Sequence, residues 1–171
     1  MSEGQREMVL KPIGVIHTEF VRQEGTPIQG AFARGHAGWV EVGPEYAEGL
    51  KDLDGFDRVW LIYWLHDARA PRLTVTPFLD KEQRGVFSTR APSRPNPIGL
   101  TCVRLTGVRG NRVDFEDADM LDGTPLLDIK PYSPRFDVFD VRRSGWLDGL
   151  LTERETADDR FVIPDDPRES K

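Results

Sequence analysis

Arg90 and Arg94 stand in the run Gly85-Val-Phe-Ser-Thr-Arg-Ala-Pro-Ser-Arg-Pro-Asn-Pro-Ile-Gly99, with Pro92, Pro95 and Pro97 among them. Each proline fixes its own φ and pushes the residue before it toward extended backbone. The run is neither helix nor central strand, because the prolines remove ladder donors. Guanidinium groups on a stiff loop suit a carboxylate, a phosphate or a base edge. A loop stiffened in advance also loses less entropy on binding. Two roles fit: an anion- or nucleotide-binding loop, or a rigid surface turn whose arginines form salt bridges.

Other candidates are few. His66-Asp67 follows the apolar run 59–65, where the end of a strand meets a loop. Polar groups at such a point either line a pocket or face water. Lys130-Pro-Tyr132 puts a cation and a phenol after a strand; Tyr132 is either a ligand contact or a core tyrosine. The histidines His17, His36 and His66 lack the spacing of a zinc site, and Cys102 is the only cysteine, so no metal is expected. Cys102 reads as a structural thiol in mid-strand. Asp119, Asp122 and Asp128 do not match a calcium loop, and no serine lies in a Gly-x-Ser-x-Gly turn.

The elements that must position these residues are mostly strands. Residues 11–20, 39–42, 56–65, 73–77, 85–89, 98–105, 112–115, 126–131 and 136–141 carry strand-like patterns. The stretch 56–65 lacks polar alternation, which predicts a strand covered on both faces. Gly110-Asn111 predicts the turn of a hairpin, and Asp122-Gly123 a tight turn with Pro125 holding the next step extended. A helix is predicted over 44–53, with Pro44 in its first turn and Gly55 as its stop. A second is predicted after Ser144, carrying Trp146, Leu147, Leu150 and Leu151. Strands that follow one another without intervening helices point to a small antiparallel β-barrel of about seven strands. The domain spans 1–143; 144–171 is a terminal helix and an acidic tail, ordered only when something binds it.

The chain has 171 residues, 38% hydrophobic and 30% charged, with net charge −6. That suits one soluble domain and argues against nucleic-acid binding driven by bulk charge. The absence of a long apolar run excludes a membrane helix, and the polar start carries no signal segment. A lone cysteine fits the cytoplasm.

Six segments together resemble a known family: Pro12-Ile-Gly-Val-Ile-His17, Pro27-Ile-Gln29, Phe56-Asp-Arg-Val-Trp-Leu61, Gly85-Val-Phe-Ser-Thr-Arg90, Arg94-Pro-Asn-Pro-Ile-Gly99 and Asp122-Gly-Thr-Pro-Leu-Leu-Asp-Ile-Lys-Pro-Tyr132. They are similar to the TsaA-like (TrmO) family, S-adenosylmethionine-dependent enzymes that methylate N6 of threonylcarbamoyladenosine at tRNA position 37. The resemblance implies a β-barrel homodimer that binds S-adenosyl-L-methionine through Pro27, Ile28, Gln29, His66, Asp67, Arg90, Leu100, Leu121, Asp122, Gly123 and Thr124. His66, Asp67 and Tyr132 are the candidates for the base. Arg94, Asn96 and Lys130 are expected on the substrate side. Here Ile28 stands where the family has arginine, and fuller members carry a further C-terminal domain. A methyltransferase of a small molecule and a non-catalytic S-adenosylmethionine-binding module are therefore the alternatives to a tRNA enzyme.

Overall fold

The computed structural model describes residues 8–150 and 154–161. Among them are eight strands: β1 (Gly14–Thr18), β2 (Ala37–Val42), β3 (Arg58–Trp64), β4 (Thr74–Val75), β5 (Arg84–Gly85), β6 (Ile98–Arg109), β7 (Arg112–Glu116) and β8 (Thr124–Pro131). Six of them close an antiparallel barrel in the order β1-β2-β7-β6-β3-β8, while β4 and β5 form a separate ribbon. Closure leaves no unpaired edge. Ile16, Val40, Val59, Leu61, Val103, Val113, Phe115 and Leu126 fill the interior, one from every second position along each strand.

The β6–β7 hairpin turns at Gly110-Asn111, where Gly110 has φ 61°. The Asn111 side chain donates to the Val42 carbonyl and ties the turn to β2. The Asp122-Gly123 turn is stitched to β1: the Asp122 amide donates to Phe20 O at 2.7 Å and the Gly123 amide to Ile16 O at 2.9 Å. Glycine suits this corner because Gly123 has φ 78°.

Several expectations are corrected. Residues 44–50 form a 3-10 helix rather than α, followed by a second short one at Leu53–Gly55. Gly49 weakens the run, and Asp52, at φ 64°, breaks its continuation. The turn after Ser144 is also 3-10, at Gly145–Gly149. Gly145 at φ 62° cannot continue a right-handed helix, and Leu151 lies outside the described residues. The alternation over 136–141 makes no strand, because the Ser133 hydroxyl caps a short α-helix, α1 (Pro134–Asp137), with Pro134 in its first turn. Residues 86–88 fold as a 3-10 turn, not as part of β5. Strand β3 is covered on one face only: Val59, Leu61 and Tyr63 are buried, whereas Trp64 is 37% exposed.

The C-terminal segment docks on the barrel. The Ile28 amide donates to Glu155 O, Ala157 N to Thr26 O and Gly25 N to Ala157 O. Phe161 packs edge-on against Phe78, under Val75 and Val86. Residues 154–161 are thus held by this chain's own 25–28 loop.

Candidate functional site: two cavities that share a wall

The floor of the site is built from β3 and β6. Tyr63 lies opposite Gly99 in the ladder. A Cβ at position 99 would stand 2.1 Å from the Tyr63 ring, so only glycine lets that ring turn inward. The Tyr63 hydroxyl lies 2.9 Å from Thr101 Oγ1, which donates to Asp119 Oδ1 at 2.7 Å. Because Thr101 spends its hydrogen on the carboxylate, Tyr63 is the donor to Thr101. Burial, and next the Asp119 carboxylate, push the Tyr63 phenol well up.

Asp119 lies between the buried Ala118 and Met120 and faces two cavities. Burial pushes its carboxyl up to about 7, against hydrogen bonds from Thr101 and the Gly30 amide and the positive charge of Arg90. Gly30 fits so closely against Thr101 that a Cβ would meet the threonine methyl at 2.8 Å. That close approach brings the 30–32 turn to Asp119.

The first cavity, about 260 Å³, opens between the 25–29 loop, the end of β3, the proline loop and the 119–124 turn. Pro27, Ile28, Gln29, His66, Asp67, Arg90, Arg94, Leu100, Leu121 and Thr124 line it. Arg90 Nη1 donates to Gln29 Oε1 at 2.7 Å, joining the proline loop to the 25–29 loop. The Thr124 hydroxyl donates to Leu121 O, and its lone pair lies 3.4 Å from His66 Nδ1. On the other side of the ring, His66 Nε2 lies 3.6 Å from Asp67 Oδ1. Sequence reasoning missed Tyr63, Asp119 and Ala157, which also line this cavity. The available signal for Asp119 was a carboxylate set directly between the apolar Ala118 and Met120.

Other predicted residues sit elsewhere. Asp122 and Gly123 point to β1: Asp122 Oδ1 accepts from Thr18 N and lies 3.2 Å from His17 Nδ1. Asn96 is exposed outside both cavities, and Lys130 pairs with Asp128 at 2.8 Å. Arg94 touches the first cavity, but its Nη1 donates to the carbonyls of Val86, Thr89 and Ala91. It thereby pins the loop, through carbonyls rather than a carboxylate.

The second cavity, about 440 Å³, lies across the Gln29, Arg90, Leu100 and Asp119 wall. Tyr132 belongs here, its ring 6.0 Å from that of Trp60. Cys102 lines it, half-buried, with its thiol pushed up by burial. Among the described residues no three His, Cys, Asp or Glu gather as a metal site, and no helix is long and apolar enough to cross a membrane.

A family model for the N-terminal domain of tRNA-methyltransferase O matches residues 15–138. This chain belongs to the TrmO family. A probable S-adenosyl-L-methionine-binding protein of Pyrococcus abyssi is 50% identical over 149 residues, 87% of this chain and 81% of its own length. The mouse tRNA (adenine(37)-N6)-methyltransferase is 35% identical over 139 residues, 76% of this chain and 32% of its own length. A crystal structure of TrmO from Pseudomonas aeruginosa superposes with a TM-score of 0.73 at 36% identity, covering 87% of this chain and 65% of that one. This chain thus spans less than two thirds of that TrmO and about a third of the mouse enzyme. The matched region, 15–138, takes in every barrel strand from Val15 onward and both cavity walls except the C-terminal segment.

Proposed function

We propose that this chain binds S-adenosyl-L-methionine in the first cavity and methylates N6 of the threonylcarbamoyl-bearing adenine at position 37 of tRNA. The observation that carries the reading is the convergence of segments remote in sequence, Pro27-Ile-Gln29, His66-Asp67, Arg90 and Leu121, on one cavity. Its wall fits the cofactor. Ile28, Leu65 and Met120 offer apolar surface for an adenosyl group, Arg90 a fork for a carboxylate, and Asp67 negative charge for a sulfonium. Bound there, the cofactor supplies a methyl group open to in-line displacement.

The protein's own part is orientation. Arg90 is held by Gln29, and the loop that carries it is fixed by the prolines and by Arg94. Such positioning can supply on the order of 7–11 kcal/mol in the best cases. His66 and Asp67 sit on the cofactor side of the site and Tyr132 on the other side of the shared wall. We also propose a homodimer formed at the rim of the first cavity, where Trp64, Ile98 and Leu100 are 37%, 36% and 48% exposed and the last two also line the cavity. Light scattering on Ile98→Glu would then give a monomer, whereas an unchanged mass would reject that interface. A tRNA substrate puts the protein in the cytoplasm.

The test is to incubate the purified chain with methyl-labelled cofactor and tRNA from a strain lacking this methylation, then analyse nucleosides. The reading expects label on the modified adenosine. Tight cofactor binding with no labelled nucleoside would favour the non-catalytic module instead.

A further inference from the structure

The second cavity has the features of a binding site for a flat, acidic molecule. Trp60 and Tyr132 present two rings tilted by 58°, suited to holding an aromatic ring by stacking and edge contact. Two arginines, Arg34 and Arg58, line the same cavity. Arg58 is held in place, donating to Asp117 Oδ2 at 2.9 Å and to Cys102 O at 3.3 Å. Arg34 has no such partner among the described residues. Asp117 itself adopts φ 70°, a strained conformation for a residue with a side chain. Its carboxylate accepts from both Arg58 and the Gly35 amide. The strain is thus stored where it fixes one arginine and the turn beside the other.

We propose that the second cavity is the acceptor site, taking a purine whose exocyclic nitrogen carries an acidic substituent, with the ring against Trp60 and Tyr132, the acid at Arg34 and Arg58, and Asp119 in the shared wall receiving the proton of that nitrogen. This rests on the methyl transfer proposed above. The nitrogen gives its proton to the Asp119 carboxylate, and its lone pair forms the N–CH3 bond. The S–CH3 bond breaks and its electron pair stays on sulfur as a thioether. Asp119 ends as a neutral acid and returns its proton to water through the cavity mouth.

Position favours Asp119 over His66 and Asp67, since it alone of the three lines both cavities. Its strength as a base suits neutral pH, its carboxyl having been pushed up to about 7 by burial. The groups that face it are the Tyr63 phenol from β3, the Thr101 hydroxyl from β6, the Gly30 amide and the Arg90 guanidinium. On its own segment, Asp117 is engaged by Arg58.

The test uses the full chain and three variants: Asp119→Asn, Arg34→Ala and Tyr132→Ala. Calorimetry measures cofactor affinity. It also measures binding of free threonylcarbamoyladenosine in the presence of S-adenosylhomocysteine, which needs no turnover. Single-turnover methylation of tRNA is followed from pH 5.5 to 9. Asp119→Asn should keep cofactor affinity within about threefold, slow methylation by roughly a hundredfold or more, and abolish the rise in rate near pH 7. Arg34→Ala and Tyr132→Ala should each weaken nucleoside binding about tenfold or more at unchanged cofactor affinity. A wild-type rate or a retained pH limb in Asp119→Asn would overturn the role of Asp119. Unchanged nucleoside binding in both other variants would overturn the acceptor site. A wild-type chain that binds no cofactor would overturn the proposed function itself, and this inference with it.

Discussion

Replacing Asp119 by Asn should make the protein more stable, and by an amount that depends on pH. Burial moves this carboxyl from an ordinary 3.8 to about 7. The folded state therefore holds a proton that the unfolded chain releases between pH 4 and 7, so stability declines as pH rises through that window. Each unit of displacement is worth about 1.4 kcal/mol. At pH 8 the charged carboxylate costs about 4 kcal/mol, and at pH 5 about 2 kcal/mol. These are upper figures, because both cavities bring water to one edge of the group. The amide of Asn keeps an oxygen to accept from Thr101 and from the Gly30 amide, so no buried donor is stranded. Asp119→Asn should thus gain roughly 2 to 3 kcal/mol more at pH 8 than at pH 5. Urea unfolding at the two pH values measures it, the difference being about 1 M in midpoint for a domain of this size. Equal gains at both pH values, or a loss at both, would refute the claim that burial charges this carboxyl with strain. A stable fold with lost methylation would then mark Asp119 as a site where stability was given up for activity.

Gly99→Ala drives a methyl to within 2.1 Å of the Tyr63 ring; the denaturation midpoint should fall by an amount equivalent to about 1–3 kcal/mol or more, and an unchanged midpoint would mean that the ring has another place to go. Arg94→Lys replaces a fork that reaches the Val86, Thr89 and Ala91 carbonyls by a single ammonium. Thermal stability and cofactor affinity should decline together, whereas a selective loss of tRNA binding at full stability would return Arg94 to the substrate side. Truncation after Leu150 removes the backbone bonds between the 155–157 segment and the 25–28 loop, together with Ala157 from the cavity wall. Calorimetry should find cofactor affinity at least about tenfold weaker, or about 1.4 kcal/mol, and full affinity would relieve the segment of any part in the site.

The barrel was legible because its signals are local. Successive strand patterns, the Gly110-Asn111 turn and the Asp122-Gly123 corner each follow from residue type and spacing, and a barrel follows from strands that succeed one another without intervening helices. The helices were misread for an equally local reason. Gly49, Gly145 and Asp52 mark left-handed or weakened positions within patterns whose apolar spacing suits an α-helix. The segment 136–141 alternates as a strand does, but no barrel edge is open to receive it. In the site, the stiff arginine loop was visible from its prolines. Its two arginines have different surroundings, and only the fold separates them: Arg94 turns back onto its own loop, and Arg90 reaches Gln29. Asp119 stayed hidden because its character comes from Tyr63, Thr101 and Gly30, none of which is its neighbour in sequence. The docking of residues 154–161 depends on backbone pairing with 25–28, which side-chain pattern does not encode.

The most direct measurement is a crystal structure of the full chain with S-adenosylhomocysteine and threonylcarbamoyladenosine. The account predicts the cofactor's carboxylate at Arg90 and its sulfur facing Asp119 from the first cavity, the adenine against Trp60 and Tyr132 in the second, and the exocyclic nitrogen within hydrogen-bond reach of Asp119. A sulfur facing away from Asp119, or an adenine held anywhere but the second cavity, would contradict it.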